Sequence, residues 1–372
     1  MYYKNNKLDK NRILDNFINI NWLIISILLI LFIIGCFVIY SASGGNFYPL
    51  VEKHIYKFIF SFIILFFICC INYEFFKSCS YYFYLLSIFL LLFLVFFGTE
   101  NSGSQRWINL GFFSLQPSEF AKITLILAIS KYYSDVTHLG DNSLIKVIIP
   151  VLLIIIPFII IVTQPDLGTS ILLLANGVSL IIISGISLWF IILGLLLFLI
   201  SIPVIWSILF DYQKQRILTF LNPEGDPLGS GYHIAQSKIA IGSGGFTGKG
   251  FMQGSQSQLE FIPEIHTDFV FSVFSEEFGY IGALVIVILY SCLFIYGLIS
   301  CYKALHIYDK LVIFGLTINI FLYFLINISM VIGIVPVVGV PLPIISYGGS
   351  SMLAVMISFG IIERINLNRR LN

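Results

Sequence analysis

Charged side chains are scarce in this 372-residue chain, with 19 Asp and Glu against 20 Lys and Arg. Where they stand beside prolines, glycines and apolar runs is therefore informative. Thr267-Asp268 precedes a long apolar run. Thr is a good N-cap, so Asp268 is expected as the first helical residue, near the positive end of the helix dipole. That setting favours the ionised carboxylate, a weak base able to take a proton. The alternative is a carboxylate that only stabilises the helix start. Glu119 and Lys122 are three residues apart on an expected helix and share a face. Asp166, in the Gln164-Pro165-Asp166 turn, is expected at the same depth, so the three are expected to form one compensated network. It either positions helices or shapes a substrate cavity. Glu276 and Glu277 lie about 12 Å beyond Asp268 along the same helix. At least one must face the interior, paired or protonated.

Cations complete the set. Arg106 and Trp107 follow Gly103-Ser104-Gln105; a guanidinium grips phosphate with two bonds and an indole offers a flat face to a sugar. An interface anchor is the plainer account of both. Lys214, Arg216, Lys238 and Lys249 are further candidates for a pyrophosphate, and contact with anionic lipid headgroups explains any one of them equally well. His233 and His266 are without a matched ligand set, and the six cysteines show no metal-ligand spacing. His266 reads as a local hydrogen-bonding residue and the cysteines as core thiols.

These residues must be positioned by a membrane scaffold. The chain is 58% hydrophobic and only 10% charged, with a net charge of +1. That excludes a disordered tail, a disulfide scaffold and a nucleic-acid binder. At roughly 20 residues per span there is room for about ten helices. Apolar runs place them at 22–43, 54–72, 79–98, 117–133, 144–163, 167–185, 188–209, 268–300, 309–335 and 349–365. The expected fold is an all-α membrane protein, a single polytopic unit over 1–372, with a large folded outer loop at 210–267 between helices 7 and 8. Ile234, Phe246, Phe251 and Phe261 in that loop argue against disorder, and its glycines permit close backbone approach. Pro336–Gly349 is apolar yet rich in helix breakers, which is tolerated at membrane depth where backbone lines a cavity.

Orientation follows from basic residues. With the N-terminus inside, the inner connections carry Lys4, Lys7, Lys10, Arg12, Lys77, Lys131, Lys146, Lys303, Lys310, Arg364, Arg369 and Arg370. Of the other eight, four sit in the long loop, which the rule discounts. Both termini are therefore expected in the cytoplasm, and no cleavable signal follows the first charges. The polar and Gly/Pro-rich segments at 102–110, 116–119, 164–168, 211–268 and 336–349 then all fall on the outer side.

Several of these segments are familiar together. SGSQRWINLG (102–111), QPSEFAK (116–122), QPDLGTS (164–170), DPLGSGYHIAQSKIAIGSGG (226–245), QLEFIPEIHTDFVFSVFSEEFGYIG (258–282) and VPLPIISYGGSS (340–351) resemble the SEDS family of shape, elongation, division and sporulation proteins. The resemblance runs from about Ser41 to about Gly360. GKGFMQGSQSQLEFIPE (248–264) and the short terminal tails look like the elongation branch and not the division branch. The resemblance implies a ten-helix bacterial inner-membrane glycosyltransferase that polymerises lipid II into peptidoglycan during cell elongation. It also implies partners: a class B penicillin-binding transpeptidase and other membrane proteins of the elongation complex. In the family's chemistry an α-linked donor gives a β-linked product, so a single inverting displacement suffices, with release of undecaprenyl pyrophosphate. Asp268 of the HTDF segment then becomes the base. Arg106, Lys214, Arg216 and Lys249, or a divalent cation such as Mg or Mn, would meet the leaving pyrophosphate. No cofactor is otherwise implied. The competing function is a flippase for a lipid-linked sugar, which many spans, broken segments and intramembrane charges would also suit. Against it stand the lack of a visible inverted repeat and the gathering of motifs on one face.

Overall fold

The computed structural model describes residues 19–97, 99–101, 104–109, 114–137, 144–222, 230–258 and 265–371. The basic residues at 4, 7, 10 and 12 lie outside the described residues, as does part of the 248–264 motif.

All ten expected long helices form: α1 (Trp22–Ala42), α2 (Leu50–Cys70), α3 (Tyr73–Phe97), α4 (Pro117–Asp135), α5 (Ile145–Thr163), α6 (Leu167–Ile183) and α7 (Leu188–Ile208), then α11 (Val270–Lys303), α12 (Ile307–Val331) and α13 (Gly349–Leu371). Seven are long and apolar enough to cross a membrane, and α6 is a shorter apolar helix. The chain is a multi-pass membrane protein. Helix ends depart most from the hydropathy reading at α3, which begins at 73 against an expected 79, and at α13, which ends at 371 against 365. Hydropathy senses the lipid slab, whereas backbone bonding carries a helix past it into polar residues such as Glu74, Lys77 and Arg369.

Between the spans lie elements that hydropathy does not reveal. Strands β1 (Thr99–Asn101), β2 (Ser104–Asn109) and β3 (Ser114–Leu115) form a small antiparallel sheet in that order. Residues 210–267 are partly helical, through α8 (Asp211–Leu221), α9 (Ser230–Ser243) and the short α10 (Ser255–Gln258).

Two packing centres share α12 and α13. One gathers α1, α2, α9 and α11; the other gathers α3, α4, α5 and α6. Helix α4 starts without strain because Pro117 is its first residue, where a missing N–H costs nothing. Helix α6 starts at the predicted turn, with the Asp166 side chain accepting from the Thr169 amide at 3.3 Å.

Helix α11 is broken at Gly279, whose φ of 63° only glycine adopts readily. The glycine-rich stretch after α9 fills the break. Lys249 and Gly250 amides donate to the carbonyls of Glu276 and Glu277 at 3.0 Å, and Tyr280 and Ile281 amides donate to Gly245 and Phe246 carbonyls at 3.0 and 3.2 Å. Backbone groups freed by the break are thus paired inside the protein, as a membrane requires.

Candidate active site

At one end of the bundle the non-helical segments converge. Asp166 sits in the α5–α6 turn, and Arg106 of β2 reaches it across the sheet. The guanidinium is 3.6 Å from the Asp166 carboxylate through Nη1, donates from Nε to the Gln164 carbonyl at 3.4 Å, and donates from Nη2 to the Pro165 carbonyl. Gln116 Nε2 adds a bond to Asp166 at 2.8 Å. One cation therefore fixes a whole turn.

A second charged group lies just below. Lys122 and Glu119 are buried, at 1% and 3% exposure, with Nζ 2.9 Å from Oε1. Tyr323 of α12 completes it: its hydroxyl accepts from Lys122 and donates to Glu119, and Lys122 Nζ is 4.2 Å from the ring centroid. Glu119, Lys122 and Asp166 lie within electrostatic reach of one another, and Arg106 joins them. In direct ion pairs, Lys122 meets Glu119 on its own helix and Asp166 meets Arg106. Tyr323 gave no sequence signal, being one aromatic among many in an apolar helix.

Asp268 is not the first residue of α11. The helix begins at Val270 with Phe269 as its N-cap, so Thr267 is no cap and Asp268 stands in a turn over 265–268. Tertiary bonds hold that turn: the Tyr347 amide donates to the His266 carbonyl at 2.8 Å, and Asn327 Nδ2 donates to the Asp268 carbonyl at 2.9 Å. The half-buried Asp268 carboxylate lies against Gly339, where an added Cβ would be 3.5 Å from Oδ2.

Beside the start of α6 opens a cavity of about 320 Å³, and neither Asp166 nor Asp268 is among its lining residues. Leu167, Gly168 and Ile171 of α6 form one wall, Gln213, Arg216 and Ile217 of α8 another, and Val335, Pro336 and Val338 a third. Gly168 admits the Val338 carbonyl so closely that a Cβ would lie 2.4 Å from it. The cavity is apolar except for Gln213 and Arg216, a shape suited to an acyl or prenyl chain ending in an anionic group. Arg216 is on its wall. Lys214, two residues earlier on the same helix and so about 200° round it, is not among the lining residues. Trp107 is half-buried in β2, opposite Thr99.

The remaining sequence candidates lie elsewhere. Glu276 and Glu277 are both buried and neither faces lipid. Glu276 accepts from Lys249 Nζ at 2.7 Å, from Ser255 Oγ at 3.2 Å and from the Gln256 amide at 3.1 Å. Glu277 accepts from Ser41 and from the Met252 amide at 3.2 Å. Lys249 is thereby committed to the clamp between the glycine-rich stretch and α11. Among the described residues no group of three or more His, Cys, Asp and Glu is placed to hold a metal ion.

Residues 21–371 match the family described as "Cell cycle protein", which takes in FtsW, RodA and SpoVE. The chain is similar to the peptidoglycan glycosyltransferase MrdB of Escherichia coli K12, with 42% identity over 346 residues and 93% of each chain covered. It superimposes on a chain from a peptidoglycan synthase complex described as coordinating polymerization and crosslinking, with a TM-score of 0.81, 25% identity, and 95% of this chain and 99% of that one covered. The rod shape-determining protein RodA of Thermus thermophilus has the same fold, with a TM-score of 0.71 at 22% identity over 96% and 99% of the two chains.

Proposed function

The chain belongs to the FtsW, RodA and SpoVE family, and from that premise we propose that it is a peptidoglycan glycosyltransferase polymerising lipid II. The observation that carries this reading is a largely apolar cavity with Arg216 on its wall, whose Val338 side runs directly into Gly339, against which the Asp268 carboxylate lies. Such a cavity suits a prenyl-linked substrate. Arg216 supplies positive charge for a pyrophosphate, and Asp268 supplies a base against Gly339, one residue beyond the Val338 wall. In the proposed step, the acceptor sugar's 4-hydroxyl oxygen attacks C1 of the donor sugar on the face opposite the pyrophosphate. Its proton passes to the Asp268 carboxylate as the new C–O bond forms. The C1–O bond to pyrophosphate breaks, and undecaprenyl pyrophosphate leaves with the bonding pair. Arg106 supports this space by fixing the Asp166 turn. Trp107 and Lys214 are assigned to the substrate's approach, since β2 and α8 flank the same end of the bundle. Lys249 is assigned to holding the clamp.

The transporter reading gains nothing from the relatives named above, of which MrdB is named a transferase. In our reading the termini are cytoplasmic, the site faces outward across the bacterial inner membrane, and a penicillin-binding transpeptidase is the working partner, as the likeness to a synthase-complex chain suggests. A cysteine placed at exposed Asn46, in the α1–α2 turn, should then react with an impermeant thiol reagent from outside, while native Cys301 should not. Purified protein supplied with lipid II in detergent should yield glycan strands. Folded protein that yields none, alone or with the transpeptidase, would overturn the assignment.

A further inference from the structure

We propose that Asn327 is the positioning residue for the Asp268 carboxylate. The inference rests on the reading of Asp268 as the base, and it adds the device that holds that base in place. Asn327 lies on α12, fully buried, and its one amide nitrogen donates to two carbonyls: Asp268 at 2.9 Å and Val340 at 2.7 Å. Those carbonyls belong to the 265–268 turn and the 336–348 segment, neither of which is helical. Both lack the donor that a regular helix would supply, and a single side chain on a rigid helix serves both. The orientation of the amide follows from its neighbours. Turned over, its oxygen would face two carbonyl oxygens.

Both ends of this bridge bear on the carboxylate. One holds Asp268 by its own backbone. The other holds Val340, whose neighbour Gly339 packs against Asp268 Oδ2. The Tyr347 amide bonded to His266 ties the same turn from the far side of the same segment. Asn327 Oδ1, meanwhile, is buried with no hydrogen-bond partner. An apolar side chain would fill this place without a buried unpaired acceptor, so the useful part of the residue is its pair of donors. Asn327 sets the turn and the facing loop in one register and touches no reacting atom.

The test uses full-length protein in detergent with lipid II. Asn327→Leu keeps the shape and removes both donors. It should lower kcat about 10- to 100-fold, in line with the cost of small misplacements of a reacting group, while KM changes less than about twofold. Asn327→Gln retains the donors one methylene further out and should retain more activity than Asn327→Leu. If Asn327 served packing alone, the longer Gln would be the worse of the two. In an Asp268→Asn background, Asn327→Leu should leave the residual rate unchanged, since no base remains to position. An equal loss in both backgrounds, a change confined to KM, or a Leu variant at least as active as the Gln variant would overturn the inference. A normal rate from Asp268→Asn would instead remove the reading of the base itself. An inactive Asp268→Asn beside a normal Asn327→Leu would remove only the positioning role. Should Asn327→Leu fail to fold, the kcat and KM of Asn327→Gln decide alone: a lowered kcat at unchanged KM supports the proposal, and wild-type kinetics refute it.

Discussion

Buried carboxylates occur in two regions of this molecule, and the regions use them differently. In the clamp on α11, Glu276 accepts three bonds from the glycine-rich stretch and its neighbour, and Glu277 is held by Ser41 and the Met252 amide. In the mouth of the bundle, Asp166 and Glu119 are each matched to a cation, while Asp268 is anchored through its backbone carbonyl and its carboxylate lies against Gly339. A carboxylate fixed by its side chain is a structural tie. At Asp268 the main chain is anchored as well, by the Asn327 side chain, so its turn has a support that does not run through the carboxylate. Sequence spacing shows charge at membrane depth in both regions; only the identity of the bonded atoms separates them.

That distinction makes clamp and mouth fail in different ways. The largest stability effect is expected at the buried pair. Lys122→Met leaves Glu119 uncompensated and should cost about 3–5 kcal/mol, whereas Lys122→Met with Glu119→Gln should recover much of it. Thermal unfolding in detergent measures both, and strictly additive losses would show that the two do not interact. Next comes the clamp. Gly248→Ala would place a Cβ 2.1 Å from the Glu277 carbonyl at a backbone φ of 83°. It should cost about 1–3 kcal/mol through overpacking and act on stability before it acts on KM. A pure KM effect with unchanged unfolding would move the clamp into the substrate site. A smaller effect belongs to Arg106→Lys, which keeps the charge at Asp166 but loses the fork that also binds two carbonyls. Activity should fall while expression is retained. The smallest is the control at Lys131–Asp135, a partly exposed i,i+4 pair at 2.9 Å, whose removal should change stability by about 0.5 kcal/mol or less.

Much of this architecture was legible in the sequence. Apolar runs mark the ten spans because lipid demands continuous helices, and Gln164-Pro165-Asp166 marks the turn that caps α6. The gathering of polar segments at one end also follows from the order of the spans. What was hidden depends on pairs of distant residues. The break at Gly279 is stable only because Gly245–Gly250 docks into it, and neither stretch announces the other. Thr267-Asp268 has a good capping pattern, yet Tyr347 and Asn327 hold those residues in a turn and delay the helix to Val270. Tyr323 and Asn327 are single polar groups on an apolar helix, and their meaning lies in what faces them. The joining of Arg106 to the charges around Asp166 has the same origin.

The account turns on Asp268 as the base, and its most direct test is the rate of lipid II polymerisation by Asp268→Asn. Asparagine preserves the volume and the backbone bond to Asn327 but cannot take the proton. The rate should fall by at least about 10²-fold, with expression, membrane insertion and thermal unfolding unchanged. A near-normal rate from folded Asp268→Asn protein would contradict the assignment.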